Sequence, residues 1–150
     1  MAITTNQVDV RGPRFAAWIT STVLVLTLAL SAFSQPVAAA ILSAQAIVFA
    51  ISAARGPRNS PYGLLFAKLV APRLGPVKER ESVAPLKFAQ VVGLIFAVVG
   101  AAGFTAGIQL LGVVATAFAL IAAFLNAAFG ICLGCQLYPF VTRLRRTPAP

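Results

Sequence analysis

The residues with the widest chemical reach in this chain are its only two cysteines, Cys132 and Cys135, spaced C-x-x-C. Two thiols at that spacing are suited to reversible disulfide exchange, to carrying sulfane sulfur, or to supplying half of a thiolate metal site. They are equally able to pack as small polarisable side chains in an apolar helix. The rest of the inventory is sparse: there is no histidine, and Asp9, Glu79 and Glu81 are the only acidic residues. A Ser-His-Asp triad, a histidine-ligated metal or haem, and a carboxylate pair inside an apolar segment are therefore excluded. The chain has no cofactor-binding motif. A single-chain zinc site is also excluded, because two cysteines fall short of four ligands and the rest would have to come from a second copy or a partner.

The elements that must position this pair are apolar. The 150 residues are 59% hydrophobic and only 10% charged, with a mean hydropathy of +0.91, whereas soluble domains carry about 25% charged residues. Four uncharged stretches stand out: Phe15 to Ser34, Val37 to Ala54, Phe88 to about Ala106, and Ile108 to Ile131. At about 1.5 Å of rise per residue each spans, or nearly spans, a hydrocarbon core of about 30 Å. Backbone groups in lipid must be satisfied within their own segment, so the stretches are expected to be helices, and none alternates with the period of a barrel strand. The fold class expected is an all-α membrane protein, a single domain over 1–150 with four transmembrane helices at about 15–34, 37–54, 88–106 and 108–131. A central loop at 55–87 and a tail at 139–150 complete it. Arg11, Arg14 and the small residues Val37–Ala40 imitate a secretory signal, but the first apolar run exceeds a signal's 7–15 residues and a second helix follows at once. The segment is read as retained.

The charge distribution gives an orientation. The 12 Lys and Arg residues fall before the first helix (Arg11, Arg14), between the second and third (Arg55, Arg58, Lys68, Arg73, Lys78, Arg80, Lys87), and after the fourth (Arg143, Arg145, Arg146). The two short connections, at Gln35-Pro36 and around Gly107, carry none. Four spans bring the three basic segments to one side, and the positive-inside rule makes that side cytoplasmic. A multi-pass membrane protein is expected, with both termini inside. Trp18, Tyr62 and Tyr138 fall near the same boundary, as amphipathic rings do. The net charge of +9 is then explained by topology and by contact with anionic membrane lipids, without nucleic acid.

Within the central loop, Ser60-Pro61 reads as an N-cap with proline at the first helical position. Tyr62, Leu65, Phe66 and Leu69 follow at helical spacing, and Pro72 stops the run. This predicts a short interfacial helix with Lys68 toward water, followed by an irregular, solvated stretch from Arg73 to Glu81. Arg-Gly-Pro-Arg occurs twice, at 11–14 and 55–58, and each copy is read as a break flanked by cations at the end of a membrane helix; an anion site is the sharper alternative. Within the spans Gln45, Gln90, Gln109 and Asn126 are polar but not ionisable, which weighs against proton pumps, voltage sensors and ion-coupled transporters. Gln45 and Asn126 are candidates for bonds between helices. Gly103-x-x-x-Gly107 and Gly130-x-x-x-Gly134 permit close helix contact.

The cysteine pair follows the last span. If that helix runs through the motif, the thiols share one face three residues apart. If Gly130 or Gly134 breaks it, they sit in a turn where disulfide geometry is easier to reach. Tyr138-Pro139 is expected to end the helical pattern. A reducing cytoplasm disfavours a permanent disulfide. The thiolate is the reactive form, disfavoured by lipid burial and favoured by Arg11, Arg14, Arg143 or a fresh helix start.

Residues Asn6–Phe15 (NQVDVRGPRF), Pro85–Gly93 (PLKFAQVVG) and Gly130–Tyr138 (GICLGCQLY) together resemble an uncharacterised family of small bacterial four-helix membrane proteins, known only as a domain of unknown function. The resemblance extends over nearly the whole chain, and the cysteine segment is its most distinctive part. Members are often encoded beside thioredoxin-like proteins and sulfurtransferases, so the resemblance implies thiol or sulfur handling with such a partner. The expectation is a membrane protein whose Cys132 and Cys135 form a catalytic, cytoplasm-facing dithiol. One alternative is a non-catalytic assembly factor or subunit whose cysteines only pack. Another is a carrier or pore for a small sulfur species, for which four helices per chain call for a homo-oligomer.

Overall fold

The structure is a computed structural model that describes residues 7–145; Asn6, the Arg145 side chain and Arg146 lie outside the described residues. Among the described residues four helices are long and apolar enough to cross a membrane: α1 (Arg11–Ser31), α2 (Gln35–Arg55), α4 (Val83–Thr105) and α5 (Gln109–Phe129). Between them lie a short α3 (Pro61–Leu65), a π turn (Phe66–Val70) and a 3-10 turn (Ala71–Arg73), and α6 (Leu133–Arg145) ends the described chain. This is the all-α, multi-pass membrane architecture that the four apolar stretches predict.

The helix ends follow local chemistry. Ser34 caps α2 by accepting from the Val37 amide at 3.3 Å, and Ser60 caps α3 by accepting from the Gly63 amide at 2.9 Å, with Pro61 at the first position. α1 and α4 begin ahead of their apolar stretches because the cations there do not stop a helix. Pro13 and Pro85 lie within the first turn, where a missing N–H costs no helical bond. The two Arg-Gly-Pro-Arg copies therefore do opposite things: residues 11–14 open α1, while Arg55 closes α2 and Gly56, at φ 90°, turns the chain away. The expectation of a break holds only at the second copy.

Around the bundle α1 packs between α2 and α5, and α4 packs between the same two, so every long helix is antiparallel to its neighbours. The interior is dominated by small side chains, including Ala38, Ala39, Ala46, Ala97 and Ala119, around Leu24, Leu42, Phe49 and Phe104. Large apolar residues such as Val25, Ile47, Ile95 and Ile121 face outward. Small inside and large outside is what lipid solvent selects, because helix association there depends on close packing and no longer on excluding water. The fully buried hydroxyls of Thr27 and Thr116 donate to carbonyls one turn back, Val23 and Gly112, and need no other partner.

At the end that gathers the basic residues, Gln7–Asp9 (β1) and Arg80–Ser82 (β2) form an antiparallel ribbon, pairing Val8 with Glu81 and Asp9 with Arg80. This corrects the irregular reading of the segment up to Glu81. Three-residue strands carry no readable alternation, and pairing with a distant segment supplies the order. Asp9 anchors the ribbon by accepting from the Arg11 backbone and guanidinium at 2.8–3.1 Å. The Arg11 guanidinium holds the Asp9 carboxyl below its ordinary range, whereas burial pushes Glu81 up, with Arg14 opposing. Asp9 therefore stabilises the ribbon above the ordinary carboxylate range, and that contribution disappears as pH falls through its lowered value. Glu81 acts in the opposite sense, favouring the fold while protonated and losing that advantage as pH rises through its raised value. Hydrogen exchange at the Val10 amide, which bonds the Glu79 carbonyl, is expected to quicken severalfold in Asp9→Asn at neutral pH and to lose its acid-dependent component.

Candidate functional site

The site begins where α5 stops. Gly130 takes φ 71°, a left-handed conformation that glycine adopts without a Cβ penalty. Its amide bonds the Asn126 carbonyl, and the Ile131 amide bonds the Leu125 carbonyl, closing the helix in a Schellman turn. Cys132 then stands immediately before α6, at its N-terminal cap. The Cys135 amide donates to Cys132 Sγ at 3.2 Å and the Gln136 amide to the Cys132 carbonyl at 3.0 Å. The two Cα atoms are 5.1 Å apart and the Sγ atoms lie within bonding distance, as a disulfide pair. Of the two backbone arrangements left open by the sequence, the broken one is present. Although a reducing compartment disfavours a permanent disulfide, the turn accommodates the oxidised form as it stands.

α6 is held against α4 by its own sequence. A Cβ on Gly134 would lie 2.6 Å from the Cα and Cβ of Ala89, so only glycine permits this crossing. One turn on, the Tyr138 ring packs on Phe88 with centroids 5.9 Å apart. Gly130 and Gly134 thus serve separately, one for a turn and one for a close approach. Pro139 does not end the helix as expected: α6 continues to Arg145, and the Thr142 hydroxyl donates to the Tyr138 and Pro139 carbonyls. Leu137, Phe140 and Leu144 repeat along one exposed side, which suits a helix lying in the membrane interface.

Behind the cysteine turn is a cavity of about 480 Å³. It extends from a rim at Asp9, Arg58 and Arg80 down to Phe49 and Phe96 within the bundle, with the exposed Phe118 at its outer edge, and its wall includes Cys132, Gln90 and Asn126. Cys135 is not part of that wall. Gln45, fully buried, fixes the neighbouring polar groups: Tyr62 Oη donates to its Oε1 at 2.7 Å, and its Nε2 reaches Thr20 Oγ1 at 3.5 Å. Burial pushes the Tyr62 phenol up, keeping it a donor. Past the cavity floor, Leu24, Leu42 and Phe104 fill the remaining half of the bundle.

Three arginines of the basic end have side-chain partners within the chain. Arg11 binds Asp9 and the Gly75 carbonyl, Arg58 the Gln7 carbonyl, and Arg14 the Ala127 carbonyl at the end of α5; Arg80 stands opposite Asp9 in the ribbon register. The two Arg-Gly-Pro-Arg copies thus tie chain segments together, which accounts for them without an anion. Arg14 also stands beside Gly130, at the base of the cysteine turn.

A family model described as a domain of unknown function, DUF4395, matches residues 8–143, from the ribbon through nearly all of α6. The chain belongs to the DUF4395 family. No curated protein and no solved structure matches it. In this DUF4395 chain the three segments that carry the family resemblance converge: Val8 and Gly12, Leu86 and Gln90, and Cys132 and Gly134 all line the one cavity. The sequence marks Gln45, Gln90 and Asn126 as polar residues in spans and Tyr62 as interfacial. It gives no sign that they surround a common space with Cys132, because that depends on the α6 crossing at Ala89.

Proposed function

We propose that this chain is a membrane-embedded dithiol that exchanges with a soluble thioredoxin-like protein at its basic end, facing the cytoplasm across a bacterial inner membrane. The observation that carries the reading is the asymmetry of the cysteine turn. Cys132 caps α6 with its sulfur accepting the Cys135 amide, and it lines the cavity; Cys135 is half-buried off that lining. A thiolate at a helix N-terminus, accepting a backbone N–H, is stabilised, so Cys132 is the better leaving group. A partner thiolate attacks Cys135 Sγ, the Cys132–Cys135 bond breaks, and Cys132 departs as the thiolate. The partner's second thiolate then attacks its own mixed disulfide with Cys135. The partner leaves oxidised, this chain is left as a dithiol, and two electrons have moved. A sulfurtransferase partner would offer a persulfide to the same site: a cysteine thiolate takes its outer sulfur and the partner recovers its thiolate. The clustering of the described Lys and Arg residues at this end supports the cytoplasmic orientation.

The mixed disulfide belongs to Cys135, so Cys132→Ser, which removes the resolving thiol, is expected to accumulate disulfide-linked partner in membranes at about ten times the level seen with Cys135→Ser. Non-reducing electrophoresis followed by mass spectrometry measures it. Equal, negligible trapping in both variants, together with an unchanged phenotype in the double serine variant, would establish the packing role instead.

A further inference from the structure

The cavity behind Cys132 is left unexplained by exchange with a soluble partner, which needs only Cys135 to be reachable. At about 480 Å³ it falls in the range of small-molecule sites. A close-packed interior does not leave such a space without forfeiting the contacts of its lining. Its chemistry is specific. The inner end is aromatic, with Phe49 and Phe96, the exposed Phe118 borders it on the outer side, and Ala119, Ala122 and Ala123 keep one wall flat. The charged groups that line it, Asp9, Arg58 and Arg80, belong to the rim segments, and Asp9 and Arg58 already bond to the chain. An ionic ligand deep inside would meet no counter-charge. What the wall does offer is two neutral amides from neighbouring helices, Gln90 on α4 and Asn126 on α5, outside the Tyr62–Gln45–Thr20 bonds. Each can donate to a carbonyl oxygen. The reactive sulfur, Cys132, is in the same wall.

A neutral, flat, lipid-soluble molecule with carbonyl acceptors, placed against a thiol that works in pairs, describes one chemical class. We propose that the cavity binds a quinone and that Cys132 passes the electrons of the reduced pair to it, a step that rests on the dithiol reading above. The Cys132 thiolate adds to a ring carbon of the quinone, and one ring oxygen takes up a proton. The Cys135 thiolate then attacks Cys132 Sγ; the carbon–sulfur bond breaks, its electron pair returns to the ring, and the second ring oxygen takes up a proton. The products are the Cys132–Cys135 disulfide and one hydroquinone, so two thiols and one quinone are consumed per turn. The soluble partner thus meets Cys135 from outside and the quinone meets Cys132 from within, and electrons run from partner to membrane pool.

The test uses the full chain, reduced, in lipid nanodiscs without oxygen, with a short-tailed ubiquinone as one oxidant and oxidised glutathione as the other. Loss of quinone absorbance and mass-tagging of thiols are followed together. Saturable oxidation by quinone is expected in the wild type, with one hydroquinone per disulfide. Ala122→Phe, which fills the cavity, and Asn126→Leu, which removes an amide at similar volume, are each expected to slow quinone oxidation about tenfold while leaving glutathione oxidation within about twofold. If Ala122→Phe fails to fold, Asn126→Leu decides. Oxidation by glutathione but not by quinone would overturn the quinone site and leave the dithiol standing. Equal quinone rates in wild type and Asn126→Leu would place the reaction outside the cavity and overturn it too. Oxidation by neither reagent would remove the dithiol reading itself.

Discussion

A Gly134→Val variant is expected to detach α6 from the bundle. The added Cβ would lie 2.6 Å from both Cα and Cβ of Ala89. One of these is a backbone atom in the middle of a helical turn of α4, so no rotamer change relieves the contact. Overpacking of this kind costs about 1–3 kcal/mol, at the upper end where backbone is involved. What opposes it is modest: the Phe88–Tyr138 ring contact and the apolar side of α6, which the membrane interface can hold without α4. The cheaper response is for α6 to swing out about the Gly130 turn. In a Cys135→Ser background, maleimide labelling of Cys132 should then rise by about tenfold, since a displacement of this size corresponds to roughly 1.4 kcal/mol or more. Trypsin cleavage after Arg143 should accelerate in parallel. Gly134→Ala should show the same changes in smaller degree, and a variant that labels and cleaves like the wild type would mean that the α4–α6 crossing is not maintained in the membrane.

The second large effect is expected at the opposite end. A Cβ on Gly103 would lie 2.8 Å from the Gly112 backbone nitrogen and 3.1 Å from the Leu111 Cβ, so α4 and α5 meet there backbone to backbone. Phe104, only 1% exposed, fills the adjoining space and has no room to retreat. Gly103→Val should therefore open the hairpin formed around Gly107 and destabilise the bundle by about 3 kcal/mol, the upper end of overpacking costs. Thermal unfolding of the chain in nanodiscs measures it directly. The proposed thiol chemistry is expected to persist while the bundle holds, because Gly103 lies beyond the cavity floor. Loss of stability without loss of thiol exchange in the surviving folded fraction would separate the two ends of the molecule.

The spans were legible because each is a long uncharged run closed by tight turns at Ser34 and Gly107, and because lipid leaves the backbone no alternative to helix. The Ser60 cap was legible for the same local reason: a hydroxyl and a proline at fixed offsets from the first turn. The ribbon was not, since Gln7–Asp9 and Arg80–Ser82 are too short for a pattern and acquire order from each other. α6 was half legible. Leu133, Leu137, Phe140 and Leu144 recur at helical spacing, but Pro139 reads locally as a stop, and only the α4 contact at Gly134 shows why the helix persists. The C-x-x-C pair was legible as a pair and illegible as a site. Which sulfur caps a helix, and which one borders a cavity, follows from the left-handed turn at Gly130 and the crossing at Ala89. Neither is a property of residues 132–135.

The ribbon also imposes an order on how the molecule is made. Asp9 pairs with Arg80, so β1 leaves the ribosome long before its partner exists, and α1 and α2 are synthesised in between. At about 5–20 residues per second the gap amounts to several seconds, during which the first hairpin enters the bilayer with a single unpaired strand trailing from it. Pairing can start only as α4 begins to emerge, and the rim formed by Asp9, Arg58 and Arg80 is assembled at that moment. The cysteines follow later still, arriving at an opening already framed. A partner that recognises both the ribbon and the cysteine turn therefore meets only finished molecules, because an incomplete chain presents one of those surfaces without the other.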